Sequence, residues 1–398
     1  MRKHMSPRTV AVALVSLLFL RGFGQVVEPP RLRTLLPNGS ILLVENMPDA
    51  KVASVQLFAS SIRFPDTPEN HGYKHLLEHL LLKGPDKDLD LKMESQGIFF
   101  TGRTLRDAMQ IEFTCSPSQI GISLDTLSTL MKPLQTDLKE IAKEIRIMRQ
   151  EHALESDSQR LSSAAWSLAY SDRGLSPFGD LEVMASATPD ALRAFQSQLF
   201  SANNLVLVIS GPLDVEGETR EGYAFLNQYS GKTTAEPEPM PGGVPGRTEV
   251  DDAFGEARAA RVGGFKEDGT AWALAAALAL ATQLGQVFVT YTPSGANGLV
   301  VLGKTDSNNG VGLKIDDLEP GDLTGLFPVG KSLAKRWIQR QLETPSASAA
   351  LRGLLLCQGP SYQPESMLDA IDSMTWQQFF KAVTLFSKDK ADIVVGIR

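Results

Sequence analysis

His75, Glu78 and His79 stand within five residues of one another in the otherwise apolar run Leu76-Leu77-Glu78-His79-Leu80-Leu81-Leu82. With about 3.6 residues per turn, His75 and His79 lie one above the other on a single helix face, and Glu78 points to nearly the same side. Two imidazoles so placed suit a catalytic zinc. A third protein ligand would leave the fourth position to water, which a nearby carboxylate can deprotonate. The order His-x-x-Glu-His is the inverse of the commoner zinc-peptidase motif. A solvated amphipathic helix is the simpler alternative, and the histidine distribution argues against it: His4 lies at the extreme N-terminus, and the other four are His71, His75, His79 and His152.

The third ligand must come from another element. The segment Leu138 to Glu155 is strongly helical by propensity and offers Glu144, Glu151, His152 and Glu155. Glu144 and Glu151 are two turns apart, so they share a face, but a rise of about 10 Å keeps both from reaching one ion. Spacing leaves the four candidates open.

The elements that must position these groups form two α+β halves. Leu32 to Val44 reads as a hairpin about Pro37-Asn38-Gly39, and a strand from Val52 to Ala59 leads through Phe64-Pro65-Asp66-Thr67-Pro68 into the His75 helix. Strands follow at Ile98 to Gly102 and Ala108 to Cys115. Helices follow at Ile120 to Met131, Leu161 to Tyr170 and Asp190 to Leu199, then a strand at Asn204 to Ser210 and a helix at Glu216 to Tyr229. Residues 232–248 carry too many prolines and glycines for an element and read as a linker between a first domain, 25–231, and a second, 249–398. The second half predicts strands at Ala257 to Phe265, Val287 to Thr292, Gly298 to Leu302 and Ala391 to Gly396. Its helices are expected at Ala271 to Leu284, Val329 to Leu342, Ala347 to Cys357, Ser366 to Asp372 and Thr375 to Phe386. Thr188-Pro189-Asp190 before the Leu205 strand parallels Thr375-Trp376-Gln377 before the Val394 strand, a trace of internal duplication.

A chain of 398 residues exceeds one ordinary core. Its net charge of −7, with no Lys/Arg cluster reading as a basic stripe, argues against nucleic acid as a partner. Arg2, Lys3, His4 and Arg8 precede the apolar run Val10 to Leu20, and Gly22-Phe23-Gly24 supplies small residues for a cut before Gln25. Residues 1–24 therefore read as a secretory signal, which places the mature chain in the periplasm or outside the cell. Cys115 and Cys357 lie in different halves and are expected as two buried free thiols.

His75-Leu76-Leu77-Glu78-His79 with the trailing Lys83-Gly84 resembles the signature of the pitrilysin/insulinase family of inverzincin peptidases, which includes the mitochondrial processing peptidases. The resemblance extends through Leu205 to Gly211 and is weak beyond the linker. It implies a zinc metallopeptidase with His75, His79 and Glu151 as Zn2+ ligands, Glu78 as the base that activates the zinc-bound water, and Glu144 as a supporting partner. It also implies two homologous domains, each a mainly antiparallel sheet packed with helices, that close as a clamshell on a short or unfolded polypeptide. The substrate would add as a strand to a sheet edge. An exported endopeptidase follows; the alternative is a non-catalytic or partner-dependent subunit of the same fold, working in a homodimer or beside a paired homologous chain.

Two departures from the family pattern stand out. Thr101 occupies the place where the family usually has Asn. In the second half, Gln283-Leu284-Gly285-Gln286 runs almost directly into the Val287 strand, leaving no room for the segment that supplies an Arg and a Tyr to the substrate, with Tyr291 an uncertain counterpart.

Overall fold

The computed structural model describes residues 31–397 apart from 86, 235–239, 241–242, 286, 306–312 and 319. The expected leader, 1–24, lies outside the described residues. None of the described helices is long and apolar enough to cross a membrane.

The first unit contains β1 (Arg31–Leu35), β2 (Ile41–Asn46), β3 (Ala53–Ser60), α1 (Tyr73–Leu82), α2 (Leu89–Ser95), β4 (Phe99–Thr104) and β5 (Ala108–Cys115). It continues with α3 (Ile120–Leu130), α4 (Leu138–Ala153), α5 (Asp157–Tyr170), α6 (Leu181–Ala185), α7 (Pro189–Leu199), β6 (Leu205–Gly211) and α8 (Val215–Leu226). Its six strands run β1-β2-β6-β3-β5-β4, antiparallel except for the β2 and β6 pair. Side chains alternate across this sheet as period-two geometry requires. Val55, Leu57, Ile111, Phe113, Leu207 and Ile209 enter the core shared with α1, α3 and α4. On the other face lie Phe58, Val206 and Val208 together with the buried polar groups Ser54, Gln56, Glu112 and Ser210. A face laced with buried polar groups needs partners that can satisfy them.

The second unit repeats the plan: β7 (Arg247–Asp251), β8 (Gly255–Gly263), α9 (Asp268–Leu284), β9 (Val287–Ser294) and β10 (Asn297–Lys304). Then come α10 (Pro320–Arg340), α11 (Pro345–Gln358), α12 (Pro364–Ser373), α13 (Trp376–Val383) and β11 (Asp392–Ile397). The order β7-β11-β8-β10-β9 matches β2-β6-β3-β5-β4 strand for strand, including the single parallel pair. The two units are thus topological duplicates, and the fold is the expected α+β class of two sheets packed with helices. Alanine-rich α9 occupies the place of α1, so the second copy has Ala273, Ala276 and Ala277 buried where the first carries its histidine helix.

Each unit lends a helix to the other. From the first unit, α5 lays Leu161, Ala165, Trp166 and Ala169 on Ala257, Ala259, Leu299, Val301 and Val394, an apolar seam to which a fully buried large side chain contributes about 1.5–3 kcal/mol. In return, α11 crosses the polar face of the first sheet. Ser348 and Arg352 donate to Glu45 at 2.6 and 3.0 Å, Gln56 donates to the Ser346 carbonyl at 2.9 Å, and Gly353 lies directly over the Phe58 ring.

Four readings are corrected. Helix α10, expected at Val329 to Leu342, begins at Pro320 and runs through Pro328 to Arg340; packing against α9 and α12 outweighs the hydrogen bond lost at the proline. Strand β7 begins at Arg247, inside the stretch expected to be linker, and short α2 was not anticipated. The surface also holds a basic stripe after all: Lys139, Lys143, Arg146 and Arg149 are all exposed along α4, because its acidic residues Glu140, Glu144 and Glu151 turn toward partners on the other side. Cys115 and Cys357 are buried free thiols, as expected.

Candidate metal centre

Helix α1 is anchored in its first turn by one buried lysine. Lys74 is fully buried, and its Nζ donates to Ser61 Oγ at 3.0 Å and to the Arg106 carbonyl at 2.6 Å, with Asp66 at 3.6 Å. That anchor fixes the rotation of α1, so that His75 and His79 look toward α4. Asp137 caps α4 by accepting from the Glu140 amide at 2.8 Å. The core positions Ile141, Ile145 and Met148 then fix the rotation of α4, so that Glu144 and Glu151 face α1.

His75, His79 and Glu151 converge, with one potential ligand atom from each lying within 4.8 Å of the others. Both imidazoles present Nε2 to Glu151 Oε2, at 3.7 Å for His75 and 3.2 Å for His79. Their Nδ1 atoms are engaged from behind. His75 Nδ1 lies 2.9 Å from the Phe178 carbonyl, while His79 Nδ1 lies 3.6 Å from Glu144 Oε2. The other Glu144 oxygen accepts from Lys83, and Oε2 is buried with no hydrogen-bond partner among the described residues. Metal-binding histidines characteristically hand their second nitrogen to a carbonyl or carboxylate, which fixes ring and tautomer. Two nitrogens and one carboxylate oxygen, backed in this way, fit a zinc ion that keeps a position open.

Of the four candidates, Glu151 is the one brought together with His75 and His79, while Glu144 stands behind the His79 ring. His152 and Glu155 approach each other to 2.8 Å and stay outside the cluster.

Glu78 lies beside the cluster, 9 % exposed, and its Oε2 accepts from Thr104 Oγ1 at 2.6 Å. Burial raises its pKa above the ordinary carboxylate value, opposed by the Thr104 hydrogen bond. Burial lowers the pKa of His75, which favours the neutral imidazole a metal requires.

The centre opens on a cavity of about 630 Å³ between the units. Its lining includes His75 and Glu151, the apolar Phe178, Trp166 and Leu154, and Thr290 to Pro293 of β9. Tyr291 is among these residues, but its hydroxyl is buried without a hydrogen-bond partner among the described residues. Arg106 stacks on Trp166 with its guanidinium carbon 4.0 Å from the ring centre, and burial brings its pKa down to about 10.

The roles of Phe178, Thr104 and Lys74 were not foreseen. The loop bearing Phe178 returns to α1 from about 100 residues away, pinned by His71 Nε2 at 2.8 Å from the Ser176 carbonyl. A carbonyl acceptor has no residue-type signature. Only the turn-forming Pro177 and Gly179 mark the place.

Residues 41–176 match the family model described as Insulinase (Peptidase family M16). The resemblance read from the His75 motif is therefore borne out. The chain is 23 % identical over 218 residues to the mitochondrial-processing peptidase subunit beta of Saccharomyces cerevisiae, covering 53 % of this chain and 46 % of that one. It is 22 % identical over 185 residues to the uncharacterized zinc protease YmxG of Bacillus subtilis, 44 % of each chain. A third relative, the ubiquinol-cytochrome-c reductase complex core protein I of Euglena gracilis, is 26 % identical over 196 residues, 46 % of this chain and 39 % of that one. The matched part is thus under half the length of each of these relatives. Among solved structures, a protease from Helicobacter pylori superposes with a TM-score of 0.77 at 15 % identity, covering 93 % of this chain and all of that one. The periplasmic protease PqqL from Escherichia coli gives 0.66 at 14 %, covering 92 % of this chain and 47 % of that one. These likenesses show the fold.

Proposed function

We propose that this chain, with its insulinase-family match over residues 41–176, is an exported zinc-dependent endopeptidase acting on short or unfolded polypeptides. One observation carries the reading: both histidines turn Nε2 toward Glu151 while Phe178 and Glu144 stand at their Nδ1 atoms. Zinc, when bound by His75, His79 and Glu151, polarises a peptide carbonyl and acidifies water. Glu78 takes the proton, and its burial suits it to accept one and return it to the leaving amine. The free edge of β4 offers an extended peptide unpaired backbone groups beside Glu78. The cavity beside the cluster accommodates a large side chain next to the scissile bond. Export rests on the N-terminal sequence alone.

The deciding experiment uses the chain without residues 1–24, reconstituted with zinc and given an unstructured peptide. Cleavage that is lost on chelation and regained with zinc is expected. A zinc-loaded chain that cuts nothing, alone or with a partner, sinks the reading.

A second reading is favoured by the join between α9 and β9, which has only residues 285–286, whereas the first unit places α2 in the matching connection. On this reading the chain is the metal-bearing member of a pair, and a related chain supplies the donors its second unit lacks. Relatives named as a peptidase subunit and as a complex core protein support it. An isolated chain of feeble activity, restored by a related exported chain, is the expected result. Full activity of the isolated chain would exclude it.

A further inference from the structure

We propose that Thr104 is the positioning residue for Glu78, holding one carboxylate oxygen in place so that the other faces the water to be deprotonated. This rests on the peptidase reading above, yet it can be tested apart from it.

Three observations converge on Thr104. Among the described residues, Thr104 is the hydrogen-bond donor to Glu78, through Oγ1 to Oε2 at 2.6 Å. Strand β4 is shaped to receive this carboxylate, because Gly102, two residues earlier on the same face, leaves room for it: a Cβ there would lie 3.1 Å from Glu78 Cγ and 2.6 Å from Leu82 Cδ1. The Glu78 stem therefore lies flat on the strand, with Gly102 beneath it and Thr104 at its head. Finally, among the described residues β4 is the edge strand of its sheet, bonded to β5 with Thr104 opposite Met109, which leaves its other edge to an added strand.

The consequence is a fixed relation between substrate register and base. A peptide aligned along β4 is placed by the backbone of the same strand whose Thr104 side chain orients Glu78. A carboxylate free to rotate about its last two bonds would lose that alignment, and reacting groups need to be held closely for efficient transfer. A hydroxyl is required, not a particular shape, so Ser can replace Thr and isosteric Val cannot.

The test compares wild type with Thr104→Val, Thr104→Ser and Glu78→Gln, each checked for thermal stability and for one metal per chain. Steady-state peptide turnover is one readout. The visible spectrum of the cobalt-loaded chain at one fixed pH is the other, since it reports how the water at the metal is held without any turnover. Thr104→Val is expected to lower kcat about 10- to 100-fold with KM within about twofold, as partners that orient a site's groups typically do. Its cobalt bands should move as those of Glu78→Gln do, and Thr104→Ser should restore both readouts. The proposal is overturned if Thr104→Val keeps the wild-type spectrum, or if Thr104→Ser is as damaged as Thr104→Val. If wild type cleaves no peptide, alone or with a partner, the peptidase reading fails, and the spectra alone still decide the role of Thr104.

Discussion

Glu144 Oε2 lies 3.6 Å from His79 Nδ1 and has no hydrogen-bond partner among the described residues, while Lys83 occupies the other oxygen of the same carboxylate. The glutamate seven residues on, Glu151, meets the opposite nitrogen of the same ring at 3.2 Å. The two carboxylates of one helix therefore flank the same imidazole from opposite sides.

His75→Ala, His79→Ala and Glu151→Ala should each abolish stoichiometric zinc binding, since each removes one of the three proposed ligands. Glu144→Ala should weaken it only about 10- to 100-fold, leaving one zinc per chain at saturation. Competition titration against a chromophoric chelator measures this. Equal losses from Glu144→Ala and Glu151→Ala would reverse the assignment.

Glu78→Gln keeps the shape of the side chain and its contact with Thr104 but cannot take a proton. It should retain one zinc per chain and lose peptide turnover by about 100-fold or more. Metal analysis and turnover on the same sample decide it; an active Glu78→Gln chain removes Glu78 from the chemistry.

Gly353→Ala should loosen the seat of α11 on the first sheet. A Cβ at Gly353 would lie 2.0 Å from Phe58 Cε2, and Phe58 is fully buried, so the ring or the helix must shift. Overpacking of this kind costs about 1–3 kcal/mol, readable by urea denaturation. Adding Phe58→Leu should recover part of the loss, because the two positions touch. Unchanged stability of Gly353→Ala would show that α11 is not seated there.

Acid should weaken the same docking surface. Against burial, hydrogen bonds from Arg352 and Arg31 hold the Glu365 pKa down to about 2. An unfolded glutamate titrates near ~4.3. The depressed value therefore contributes stability that is fully present above about pH 4.3 and is lost as pH falls through about 2. Thermal melts of wild type and Glu365→Gln should differ near neutrality and converge toward pH 2; a constant difference would contradict the ion pair's role. Because Glu365 is partly exposed, the difference should be modest and shrink with salt.

Much of the architecture was legible because it obeys local rules. The short strand-forming runs Ala53–Ser60 and Leu205–Gly211, and the His75, Glu78 and His79 spacing, express single-element preferences that a sequence states directly. Choosing Glu151 over Glu144 was different. Helical periodicity placed both on one face, and only the resemblance separated them, since the height of α4 along α1 is set by tertiary packing. The Phe178 carbonyl, the exchange of α5 and α11, and the passage of α10 through Pro328 depend on contacts between segments far apart in the chain. Thr104 was visible as a residue but not as a partner, because a threonine on an edge strand has no signature that distinguishes it from any other.

The traded helices make the two halves mutually dependent. Severing the chain between them would strip α5 from the apolar face of the second sheet and leave the polar face of the first without Ser348 and Arg352. A nicked molecule should therefore persist as a tight two-fragment complex, and neither fragment expressed alone should be well behaved. Gene halves made separately would have to find each other before either could fold completely.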